Sequence, residues 1–74
     1  MKLTGAYLDC STYVAQDTGV DVLQRCLIFI NDISAVWDES EGDMAVLLRS
    51  GEQFTVKGSV SNFIGACRVG SATN

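Results

Sequence analysis

A chain of 74 residues has room for one domain and one hydrophobic core. Net charge is −4 and the five basic residues (Lys2, Arg25, Arg49, Lys57 and Arg68) are scattered, so the clustered cations that bind nucleic acid or an anionic membrane are lacking. The composition is 47% hydrophobic and 19% charged with mean hydropathy +0.21, an apolar balance for a domain that buries only about 60% of its unfolded surface, and such chains usually add disulfides, a metal or oligomerisation.

In chain order, Lys2 to Leu8 reads as a first strand, and Asp9 to Gly19 as a polar stretch that is either a loop or a ragged hairpin. Val20 to Ile30, β-branched and ending in Cys-Leu-Ile-Phe-Ile, predicts a buried strand. Its rival is a helix, because Val20, Leu23, Leu27 and Ile30 also fall near helical spacing behind Thr18 as N-cap. Asn31-Asp32 breaks the run, and Ile33 to Trp37 resumes it as a strand. Asp38 to Asp43 reads as a polar loop. Ser50-Gly51 then reads as a two-residue hairpin turn between Met44–Arg49 and Glu52–Lys57, with the glycine supplying the positive φ of a primed turn. Behind Ser59 as N-cap, Val60, Phe63, Ile64 and Cys67 form one helical stripe, weakened at Gly65 by about 1 kcal/mol relative to alanine. The domain is expected over residues 1–69, with a disordered tail over 70–74. The fold class is α+β, mainly β: an antiparallel meander of four to five strands, open or closed into a small barrel, with one short C-terminal helix.

A two-residue turn at Ser50-Gly51 sets Leu47 opposite Phe54 and Ala45 opposite Val56 on the core side, under the helix. The other side then carries Ile33, Ala35, Trp37, Met44, Val46 and Leu48, all apolar. Either the N-terminal strands curl over this second face or another subunit covers it, and these six residues are the candidate interface.

The residues offer little for chemistry. The absence of histidine removes Ser-His, Cys-His and imidazole-metal arrangements together. Asp38-x-Ser40-x-Gly42 has the start of a calcium loop, but its glycine falls one position early and the bidentate glutamate position is Arg49. Cys10, Cys26 and Cys67 are far apart without any C-x-x-C pair, which predicts neither a zinc nor a redox site. An odd cysteine count with no leader segment fits a reducing cytoplasm, where cysteine packs as a small hydrophobe. No apolar run approaches the roughly 20 residues of a membrane helix. No catalytic residue, metal or cofactor is expected.

Ile28-Phe29-Ile30-Asn31-Asp32-Ile33, Val46-Leu47-Leu48-Arg49-Ser50-Gly51-Glu52-Gln53-Phe54-Thr55-Val56-Lys57, Ser59-Val60 and the opening Lys2-Leu3-Thr4 together resemble the small flagellar and swarming accessory proteins of the FlbD type over about half the chain. The segment Asp9 to Arg25 is an insert relative to that pattern, and Gly58 stands where an acidic residue usually precedes the serine. The resemblance implies a meander with a short helix and a bacterial accessory role. The sequence thus predicts a non-enzymatic domain acting by protein contact, a homodimer by preference. Two alternatives are a small apolar-ligand binder and an acidic inhibitor of a nucleic-acid-binding protein.

Overall fold

The computed structural model describes residues 1–72, with side chains through Val69. Six strands and one helix follow in order: β1 (Lys2–Thr4), β2 (Tyr7–Ala15), β3 (Asp21–Phe29), a 3₁₀ turn (Ile30–Asp32), β4 (Ile33–Ser40), β5 (Asp43–Leu48), β6 (Gln53–Lys57) and α1 (Val60–Ala72). All strand pairs are antiparallel. The sheet curls into a half-barrel, so the mainly β architecture with one C-terminal helix follows the sequence reading.

The strands β2 and β3 form one regular hairpin, Tyr7 opposite Phe29 through Ala15 opposite Asp21. Val20 to Ile30 is therefore strand rather than helix over most of its length, and the polar stretch from Asp9 is its partner strand. Alternation explains it: Leu8, Cys10 and Thr12 are buried while Asp9, Ser11 and Tyr13 are not. On its other edge β2 pairs β1 through Tyr7–Asp9 and touches β6 at Thr12 opposite Val56. That single bridge closes the meander β4-β5-β6 onto the N-terminal hairpin.

The meander departs from the expected register. Asp38–Ser40 continues β4, and only Glu41-Gly42 turns, with Gly42 at φ 80°. At the next hairpin the loop is three residues, not two. The Gly51 N–H donates to the Leu48 carbonyl, the Leu48 N–H donates to the Glu52 carbonyl, and Gly51 sits at φ 95°. This is a three-residue loop closed by a left-handed glycine. The pairing becomes Val46 opposite Phe54 and Met44 opposite Val56, one residue from the expected alignment, and a one-residue slip carries every side chain of a strand to the other face.

Met44 and Val46 are consequently fully buried, with Val56, against Leu8, Cys10 and Ile28 of the N-terminal hairpin. The chain's own N-terminal half covers them. Val60 and Phe63 of α1 pack on the same core, and the helix touches β1 and β4. Its N-terminus is capped by Ser59 as expected: the Asn62 N–H donates to Ser59 Oγ at 3.1 Å, and the Ser59 N–H donates to Asn62 Oδ1 at 2.8 Å, a reciprocal box. The Val60 N–H also donates to Asp38 Oδ1 at 2.9 Å. The helix runs to Ala72, so Gly70–Ala72 of the expected tail are helical, and residues 73–74 lie outside the described residues.

Candidate contact surface

The six expected interface residues do not share one open face. Met44 and Val46 are in the core, while Ile33 and Leu48, opposite each other, are half-buried and pack against it. Only Ala35 and Trp37 stand exposed, Trp37 being 39% exposed opposite Ala45. Two register changes are the physical cause: the slip of β5 against β6 turns Met44, Val46 and Leu48 to the core, and the irregularity between Ile33 and Ala35 sets Ala35 opposite Leu47 and Trp37 opposite Ala45, on the other side.

The exposed apolar surface gathers instead along β3. Val22, Leu23, Leu27 and Phe29 are 44–54% exposed, Val20 just before the strand is more so, and Phe29 stacks on Tyr7 with ring centroids 4.3 Å apart. Alternation places Leu23, Arg25, Leu27 and Phe29 on the outer face and Val22, Gln24, Cys26 and Ile28 on the inner one. Only Ile28 of the inner set is buried; Val22 and Gln24 are exposed because the hairpin projects past the core, along a molecule 43 Å long and 24 Å wide.

Among the described residues β3 pairs only with β2. The bonds at the two ends of the hairpin, Ile30 N–H to the Ala6 carbonyl and Gln16 N–H to the Val20 carbonyl, fix the even-numbered pairs as the hydrogen-bonded ones. The N–H and C=O groups of Asp21, Leu23, Arg25, Leu27 and Phe29 therefore point away from the sheet. The other free edges differ: β1 is three residues long and packed by α1, and β4 is bulged by register shifts between Ile33 and Ala35 and between Asp38 and Ser40 and ends in Asp38, Glu39 and Ser40. Bulges and charge blunt an edge against pairing. Along β3 the register is unbroken, and neither lysine nor proline interrupts it.

Polar groups elsewhere are used internally. Arg25 holds Asp9 through two bonds, Nε to Oδ1 at 3.1 Å and Nη2 to Oδ2 at 2.8 Å, which keeps the Asp9 carboxyl below its ordinary value. Tyr13 and Ser40 hydroxyls donate to Asp43, the Thr55 hydroxyl donates to Glu39 at 2.6 Å, and buried Thr12 donates to the Thr55 carbonyl at 3.0 Å. The acidic stretch Asp38–Asp43 is thus a set of caps and cross-strand acceptors. No group of three metal-ligating side chains exists among the described residues, and no helix there is long and apolar enough to cross a membrane. All three cysteines are free; burial, with Cys26 opposite, pushes the Cys10 thiol up to about 11. A surface groove of about 510 Å³ is lined by Thr12, Tyr13, Asp43, Gln53 and Thr55 among others, a polar lining unlike an apolar-ligand site.

The sequence places a strand here but assigns its apolar run to the core, and so misses that its outer row is exposed. The signal was present: Leu23, Arg25 and Leu27 alternate with the inner row, and a strand buried on both faces does not carry an arginine at its centre. Comparison with protein-family models, with curated proteins and with solved structures finds no match.

Proposed function

We propose that this chain is a small non-catalytic accessory or regulatory protein that works by protein contact and associates with itself as a homodimer. The observation that carries the reading is β3, a nine-residue strand with one hydrogen-bonding edge unused and an apolar outer row beside it. An edge of this kind is a template for another strand. Isologous two-fold pairing is the commonest way a soluble chain satisfies such a surface. The composition agrees: a 74-residue domain with 47% hydrophobic residues and this much of it on one strand has apolar area left over after folding. Three free thiols suit a reducing compartment, and we place the protein in the cytoplasm.

Sedimentation equilibrium of the purified chain over a concentration series tests the reading. A dimer mass that dissociates on dilution supports it. A monomer at about 1 mM, where even contacts of about 4 kcal/mol register, overturns it.

A further inference from the structure

We propose that two copies of the chain pair antiparallel along β3 about a two-fold axis at Arg25, joining the two half-barrels into one continuous sheet. The inference rests on the self-association just proposed and names its surface and register.

Three observations converge on it. First, the aliphatic positions of β3 are symmetric about Arg25, although Gln24 and Cys26, and Asp21 and Phe29, differ. Leu23 and Leu27 lie two residues to either side, Val22 and Ile28 three, Gln24 and Cys26 one. Antiparallel pairing of the strand with its own copy about that centre sets Leu23 against the partner's Leu27 twice on the outer face. On the inner face it sets Val22 against the partner's Ile28 twice. A strand shaped to receive an unrelated partner has no reason to be symmetric.

Second, the hydrogen-bonding parity is the one this pairing needs. The outward-facing groups belong to odd-numbered residues, and a centre at Arg25 places odd opposite odd throughout: Asp21 with Phe29, Leu23 with Leu27, Arg25 with Arg25. Each of the five offers one N–H and one C=O, so about ten bonds close along the seam. Any centre on a residue of the strand satisfies the parity, but one at Leu23, which would set Asp21 against Arg25, overlaps only Asp21–Arg25 of each strand, one at Gln24 only Asp21–Leu27, and one at Cys26 only Leu23–Phe29. The fuller seam wins, because each additional backbone bond contributes about 0.5–1.5 kcal/mol net while exposed ion pairs are weak. The two guanidinium groups on the axis do not meet as bare charges, since Asp9 of each copy already holds its own Arg25.

Third, the β3 side of the far half of the hairpin has no strand beside it within its own chain, and the bond from the Tyr13 hydroxyl to Asp43 holds only the β2 side. Beyond the bridge at Thr12 the arm is two-stranded, with Val20, Val22 and Leu23 exposed. Two-stranded ribbons are marginal in water. In the proposed pairing the Asp21–Gln24 half of each strand lies along the Cys26–Phe29 half of the partner, beside the partner's buried core, so each body supports the other's arm.

The test uses the full chain. In Leu23→Pro the lost N–H points away from β2, so the intrachain ladder is kept while the seam loses a donor on each copy. The expected result is a monomer with an unchanged circular dichroism spectrum. In parallel, Leu23→Lys and Leu27→Glu are each expected to weaken self-association by at least about tenfold. An equimolar mixture of the two is expected to recover a mixed dimer, because the lysine of one variant then faces the glutamate of the other across the seam. The two charge variants decide the matter if the proline variant unfolds. A wild-type dimer that survives unweakened in the charge variants leaves self-association standing and overturns β3 as its surface. Weakening without recovery in the mixture overturns the register. A monomeric wild type overturns both proposals.

Discussion

The register of β5 makes a sharp prediction, because the two alignments give Met44 opposite environments. In the observed pairing Met44 is fully buried opposite Val56, in one cluster with Leu8, Cys10 and Ile28. Met44→Ala removes three heavy atoms, worth about 2.4 kcal/mol at about 0.8 kcal/mol per methylene-sized group. A residual cavity adds to that, since a core held by a curled sheet collapses only in part, and about 3 kcal/mol in total is expected. A domain of this size has a total stability of about 4–11 kcal/mol, so the change is a large share of it and lowers Tm by roughly 12–24 °C. Leu47, the neighbour on the opposite face, is only half-buried, and Leu47→Ala should cost less than half as much. Urea unfolding followed by the single tryptophan, Trp37, measures both. Had the turn at Ser50-Gly51 been two residues long, Leu47 would be the core residue and the order would invert. A larger loss at Leu47 than at Met44 refutes the register and the buried cluster built on it.

Two further perturbations are independent of that test. Ser59→Ala removes one acceptor of the reciprocal cap, and a loss of about 1 kcal/mol in urea unfolding is expected; an unchanged midpoint would show that Asp38 alone secures the helix start. The Cys10 thiol is raised in the fold from 9.0 to about 11, so the neutral form is the one the core accepts. The sign follows: its contribution is complete below about pH 9 and is lost as pH rises through about 11, and Cys10→Ala should flatten that alkaline limb of the stability curve. A limb unchanged in the variant would assign it to other groups.

Local features were legible where one residue type has one physical use. Ser59 before an apolar stripe is such a case, and it caps α1 as read. So is the β-branched and aromatic run that became β3. Register was not legible, because glycine serves two turns equally well: Gly51 ends a two-residue primed turn or closes a three-residue loop, and the sequence Arg49-Ser50-Gly51-Glu52 is compatible with both. The carboxylates of 38–43 misled for a related reason. Acidic residues in a row suggest a solvated loop, but Asp38 caps a helix 22 positions later and Glu39 meets Thr55 across the sheet, contacts that exist only once the meander has formed. In β2 the period of two was present and was masked by small polar residues, since Thr12 is buried by virtue of its bond to Thr55 rather than by apolarity.

The apolar excess of the composition is unchanged by these shifts and only its place moves. Displacing β5 by one residue against β6 turns Met44 and Val46 into the core and Ala45, itself fully buried, and half-buried Leu47 to the opposite side, and the irregularity in β4 leaves Trp37 beside Ala45, so the apolar patch expected around Trp37 is broken up. Covering Met44 and Val46 requires the N-terminal hairpin, and only part of it, Leu8, Cys10 and Ile28, reaches them. The far end of β3 is left with exposed apolar residues on both faces, Val22 on the inner and Leu23 on the outer. A strand in that position, regular, unbulged and with leucines two residues to either side of an arginine that Asp9 of its own chain already holds, is the surface on which the proposed pairing with a second copy rests.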